Sequence, residues 1–115
     1  MKTEIIVISN IEMTYHIGSS AQDNSDLVIA SNQQDIWFHV QDLPSCHVVA
    51  VMPENEKLDK KKMRAILKQG AVICKKHSKY ASDKNLPIIY TKIEDVQITN
   101  IPGSVAATNT KTIII

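Results

Sequence analysis

Aromatic side chains are scarce in this sequence: one tryptophan, one phenylalanine and three tyrosines among 115 residues. That scarcity excludes the stacked aromatic platform of RNP-type RNA-binding sheets. Arginine is scarcer still, Arg64 being the only one, so any contacts to phosphate would fall to lysine. The two cysteines, Cys46 and Cys74, are too few for a disulfide framework and read as reduced, packed thiols. No stretch approaches the roughly 20 apolar residues of a membrane span. The apolar run Ile5 to Ile8 is too short for a signal peptide. A cytoplasmic protein with no membrane partner is the expectation. Linkers, repeats and low-complexity tracts are missing too, and 43% hydrophobic with 22% charged residues describes an ordinary globular chain. A single domain over residues 1–115 follows.

Charge is present but unevenly spread. The net charge is +1, yet residues 57–84 hold ten of the thirteen basic residues against Asp59 and Asp83 alone. The rest of the chain is correspondingly acidic. Such a local field can steer a polyanion even when the total charge cannot; a solvated helix face explains the same lysines equally well. Within the segment Met63, Ile66, Leu67, Gly70, Cys74 and His77 recur at helical spacing, which predicts one long amphipathic helix over about 59–81. Asp59 is placed to cap it. The interior Gly70 costs about 1 kcal/mol relative to alanine, so close packing against a neighbouring element is expected there.

The remainder reads mostly as strands. Residues 3–8 and 12–17 flank a Ser9-Asn10 turn, 35–41 and 46–52 form a hairpin, and 87–91, 95–99 and 111–115 alternate or run apolar. Ile101 to Ser104 reads as a turn, with Val105 to Ala107 as a further strand, and a short helix is placed near 24–31. The fold class is α+β, a mostly antiparallel sheet packed against the long helix.

The stretch Asp35-Ile-Trp-Phe-His-Val-Gln-Asp-Leu-Pro-Ser-Cys-His47 concentrates the versatile residues. Strand alternation puts Trp37 and His39 on one face and Ile36, Phe38 and Val40 on the other. The second set suits a core, so Trp37 and His39 are expected to face outward or into a groove. An odd-numbered loop would bring His47 to the same face as His39; an even one would not. Zinc is disfavoured: Cys46-His47 are neighbours pointing apart, and Cys74 with His77 lacks the spacing of a structural site. A cofactor is not expected. No phosphate loop, paired-carboxylate site or nucleophile elbow is present. Two histidines with Asp35 or Asp42 leave a nuclease-like enzyme as a minor alternative.

Asp35-x-Trp37-x-His39, followed by Pro44-Ser45-Cys46-His47, the long helix, Tyr90-Thr91, Pro102-Gly103-x-Val105 and Lys111-Thr112-Ile113, resembles the NFACT-R domain. Gly18 and Asn24 match the start of that pattern, and the resemblance spans about residues 13–115. It implies the RNA-binding module of proteins that act in ribosome-associated quality control, a module that also occurs alone in small proteins. The family's Asn-Asp stands here as Asn24-Ser25, its Pro-Gly-Ser-His turn as Pro44-Ser45-Cys46-His47, and its basic residues after the Tyr-Thr strand as Gln97, Thr99 and Asn100. The resemblance implies a non-catalytic site of Trp37, His39 and His47, with Asn24 and Asp35 orienting them and Gly103 nearby; the charge of the lysine-rich helix adds Lys75, Lys76 and Lys79 as the residues to meet phosphates. The implied partner is RNA, ribosomal or transfer, or the ribosome itself. A protein-interaction adaptor, or a homodimer joined through the C-terminal edge strand, is the alternative.

Overall fold

The computed structural model describes residues 1–115. Strands β1 (Lys2–Ile8) and β2 (Ile11–Ile17) pair antiparallel, joined by Ser9 and Asn10. Both turn residues have positive φ (50° and 66°), the backbone of a type I′ turn, whose twist matches that of the flanking strands. Helix α1 (Ala21–Ala30) follows, then β3 (Ile36–Val40), β4 (Val48–Val51) and the long helix α2 (Lys60–Lys76). Strand β5 (Pro87–Lys92) leads through a 3-10 turn at Ile93–Asp95 into β6 (Val96–Ile98), β7 (Val105–Ala107) and β8 (Lys111–Ile114). Six strands form one antiparallel sheet in the order β1-β2-β4-β3-β5-β8, while β6 and β7 make a separate two-stranded ribbon. The fold is α+β, as expected.

Three layers result, because each strand of the sheet buries both of its faces in the centre. On one side Phe38, Val40, Val48, Ala50, Tyr15 and Ile88 pack with Ile66, Ala71, Ile73 and Cys74 of α2. On the other Trp37 and Val49 pack with Leu27 and Val28 of α1, Ile93 and Val96. Tyr15 crosses the first layer to donate from its hydroxyl to the Ile66 carbonyl at 2.9 Å.

Element ends differ from expectation by a few residues, for local reasons. Helix α1 starts at Ala21 rather than 24 because Ser20 caps it, its side chain accepting from the Asp23 N–H. Helix α2 starts where expected, with Asp59 accepting from the Lys62 N–H at 2.8 Å. It stops at Lys76 rather than 81: past His77 the Ser78 N–H tightens onto the Lys75 carbonyl at 3.1 Å, and the Ser78 hydroxyl takes up the Tyr80 N–H at 3.1 Å in place of a helical partner. Gly70 has the anticipated neighbour, since a Cβ there would lie 2.2 Å from Cζ of Phe38. The strand predicted over 95–99 is shorter and leaves the main sheet, the 3-10 turn having redirected the chain. No helix is long and apolar enough to cross a membrane.

Candidate nucleic-acid interface

Register decides how the two histidines meet. Trp37 pairs with Val49 and Phe38 with Val48, so the next step of the same ladder sets His39 across from His47. Side-chain alternation then puts Trp37, His39 and His47 on one face. The rings interlock: Trp37 and His39 stack at 5.6 Å with planes 12° apart. His47 stands edge-on to both, 5.5 Å from Trp37 and 4.9 Å from His39.

Trp37 does not face outward. It is 2% exposed, sealed beneath α1 and the β6–β7 ribbon. Strand alternation gives its face but not what lies above it, and the apolar residues of α1 and β6 cover that face in turn. Its indole Nε1–H donates to His47 Nδ1 at 3.1 Å. His47 is itself 2% exposed, while His39 is half-buried.

These contacts specify the hydrogen-bonding state. Because His47 Nδ1 accepts, the neutral ring carries its proton on Nε2. No buried side-chain polar atom lacks a partner, and His47 Nε2 has none in the protein, so it opens toward the cavity the ring lines. His39 Nδ1 lies 2.6 Å from the Val40 carbonyl; a carbonyl only accepts, so Nδ1 is protonated and Nε2 is left as an acceptor. Burial lowers the pKa of His39, the Val40 carbonyl partly opposing it. Burial, and then the charge His39 would carry, push His47 down to about 4. At neutral pH the pair therefore offers one donor and one acceptor, both uncharged. The cavity they line has a volume of about 360 Å³ and is closed on the other side by Gly103, Ser104, Val105 and Thr110.

Gly103 reaches this cavity through a tight docking contact. Its φ is +80°, and a Cβ would lie 2.9 Å from Cβ of Ala21. Its N–H donates to Ser25 Oγ at 2.7 Å. Ser25 thus supplies the acceptor at the position where the family pattern carries aspartate, a role invisible in the sequence without that comparison. Ser45, where the pattern has glycine, is not among the residues with positive φ; Asp42 (φ 58°) makes the bend. Ser45 instead closes the loop, accepting from the Val40 N–H at 3.1 Å and donating to the Cys46 carbonyl at 2.9 Å.

The predicted orienting residues lie elsewhere. Asp35 touches neither histidine ring: its carboxylate accepts from the N–H groups of Asn32 (3.0 Å) and Met52 (2.9 Å), clamping the start of β3 to the end of β4. Asn24 Oδ1 accepts from the backbone N–H of His47 at 3.2 Å, holding the strand rather than the ring. Gly18 makes room for it, a Cβ there lying 2.0 Å from that oxygen.

The three lysines are not equivalent. They belong to the α2 side of the sheet, opposite Trp37 and His39. Lys75 donates to the Ile115 carbonyl at 3.1 Å, and Lys76 pairs with Glu4 at 3.1 Å. Lys79 makes neither kind of contact and borders a second cavity, of about 370 Å³, with Lys2, Ser19, Asn24, Pro44 and Ser45. Lys2 escaped the sequence reading because it lies far from the lysine-rich helix; pairing of Lys2 with Ile17 delivers it to this rim. The loop from Pro44 to His47 separates the two cavities, with Pro44 to Cys46 lining one and His47 the other.

The sequence matches the family model described as NFACT protein RNA binding domain over residues 5–109. The chain belongs to the NFACT-R family. Among curated proteins it is similar to coiled-coil domain-containing protein 25 of Danio rerio, 27% identical over 86 residues, covering 75% of this chain and 42% of that protein. The Mus musculus protein of the same name is 23% identical over 92 residues, covering 80% and 44% respectively. This NFACT-R chain therefore spans less than half the length of the curated relatives it matches. Its fold is that of the C-terminal part of the fibronectin/fibrinogen-binding protein from Streptococcus suis, with a TM-score of 0.78 at 18% identity, over 100% of this chain and 45% of that one.

Proposed function

We propose that this NFACT-R domain binds RNA without catalysing a reaction, acting in the cytoplasm beside the ribosome or a transfer RNA. The observation that carries the reading is the His39–His47 pair, which presents an uncharged acceptor and an uncharged donor into one cavity. Phosphate oxygens only accept, so that pair suits a group that both gives and takes a hydrogen bond, such as a base edge or a ribose 2′-hydroxyl. Phosphates are assigned to Lys2 and Lys79 at the neighbouring cavity. A strand crossing the Pro44–His47 loop would meet both. The same chemistry argues against a nuclease: general acid–base cleavage needs one imidazole protonated near neutrality, and burial disfavours that for both.

The test is fluorescence anisotropy of labelled single-stranded RNA, hairpin RNA, transfer RNA and duplex DNA at ~50 and ~200 mM salt. Binding to RNA is expected to weaken with salt. His39→Ala should weaken it about tenfold with the salt slope unchanged. Lys2→Glu with Lys79→Glu should weaken it and flatten the slope. Absence of binding to every nucleic acid at low salt rejects the reading, and RNA turnover lost in His39→Ala replaces it with the enzyme.

A further inference from the structure

Strand β8 is an edge of the main sheet. Leu86 and Ile115 exchange both backbone hydrogen bonds, at 2.9 and 3.0 Å. Given the pairing of Pro87 with Ile114 through Tyr90 with Lys111, Lys111, Ile113 and Ile115 face β5 with their N–H and C=O groups. Those of Thr112 and Ile114 point outward, toward no other strand. Neither proline, bulge nor covering helix guards this edge; of the devices that close exposed edges it carries only its short length and Lys111.

Beside it runs an open groove of about 680 Å³ between β8 and the first half of α2. Its floor is apolar, built from Leu58, Met63, Leu67, Tyr90, Ile113 and Ile115. Its rim is basic: Lys60, Arg64, Lys68 and Lys111 border it, and none of the four is in an ion pair. The one acid on the rim, Asp59, is committed to capping α2.

We propose that β8 and this groove dock an extended acidic segment of a partner protein by strand addition. The segment's backbone pairs with Thr112 and Ile114. Its alternate apolar side chains fill the groove, and its carboxylates meet the basic rim. The charge selects this occupant over a second copy: pairing β8 with β8 of another molecule would bring two basic rims together. The surface is distinct from the histidine cavity, which lies on the other side of the sheet.

The probe is a short synthetic peptide alternating valine with glutamate, titrated to about 1 mM into isotope-labelled protein. Binding should shift the Thr112 and Ile114 amide resonances and slow their hydrogen exchange. A valine–lysine peptide should do neither. Thr112→Pro removes an outward N–H while sparing the bonds to β5, and should weaken binding at least about tenfold. Arg64→Glu with Lys68→Glu leaves the edge intact and should do the same through the rim. The proposal is overturned by unprotected amides at the highest peptide concentration, or by binding indifferent to both variants. It is also overturned if the free protein dimerises with these amides protected, which makes a second copy the occupant, or if RNA protects them instead.

Discussion

A tryptophan nitrogen and a histidine ring set the chemistry of the site between them. Trp37→Phe would leave His47 Nδ1 without its donor inside a packed layer, at a cost of about 1–3 kcal/mol in urea denaturation. The same burial makes the fold acid-sensitive. Both imidazoles have a folded pKa below the ordinary 6.5, His47 at about 4. Below pH 6.5 the unfolded chain therefore binds more protons than the folded one. Stability is fully present above that pH, falls as the pH drops, and levels off near the folded value of about 4. The His47 share is about 3 kcal/mol, with His39 adding in the same direction. His47→Gln, which keeps an acceptor for the indole, should flatten the loss between about pH 7 and pH 4.5 measured by urea midpoints. At this scale the residue types were legible but not their roles. Asp35 and Asn24 were marked by the family pattern, yet each spends its oxygens on backbone N–H groups, because extended chain entering or leaving a strand must satisfy those donors when buried.

Helix α2 is the element that the residue pattern describes most fully. Its apolar stripe, its cap at Asp59 and the need for glycine at position 70 can all be read from spacing, since a helix obeys its own period whatever it packs against. Asp59→Ala should lower stability by about 1 kcal/mol. Gly70→Ala should also destabilise, by about 1–3 kcal/mol in thermal or urea unfolding, although alanine is the better helix former. The added methyl would meet the Phe38 ring at three atoms within 2.7 Å, and overpacking outweighs the propensity gain. The helix end was less legible: Lys75 to Ala81 carry no breaker, and the chain leaves the helix through a tightened turn in which Ser78 bonds the Lys75 carbonyl and takes up the Tyr80 N–H. Nor did spacing pair His77 with its partner. Its Nε2 meets Glu4 of β1 at 2.7 Å instead of joining Cys74.

Across the whole molecule, the sheet divides the sequence's two attractive features. The lysine-rich helix covers one face and the Trp37–His39–His47 cluster lies under the other, joined only at the end where the Pro44–His47 loop borders both cavities. The β6–β7 ribbon closing the histidine cavity is a short pair outside the main sheet, resting chiefly on α1. Native-state hydrogen exchange should therefore find the amides of β3 and β4 opening only with global unfolding and those of β6 and β7 opening locally at lower free energy. Equal protection of both would show that the ribbon is not an independent cover.

Local pattern by itself determined that this chain is an α+β protein with a capped amphipathic helix, alternating strands and a tight Ser9-Asn10 turn, because those properties arise from neighbours a few residues apart. Family pattern added which side chains to watch. Only the tertiary structure decided that the ladder sets His39 across from His47. It also buried Trp37 instead of exposing it, brought Lys2 to Lys79, and left β8 as an uncovered edge. Each of those depends on strand register, strand order or the layer above a strand face. Those are set by contacts between residues distant in sequence, and no local periodicity encodes them.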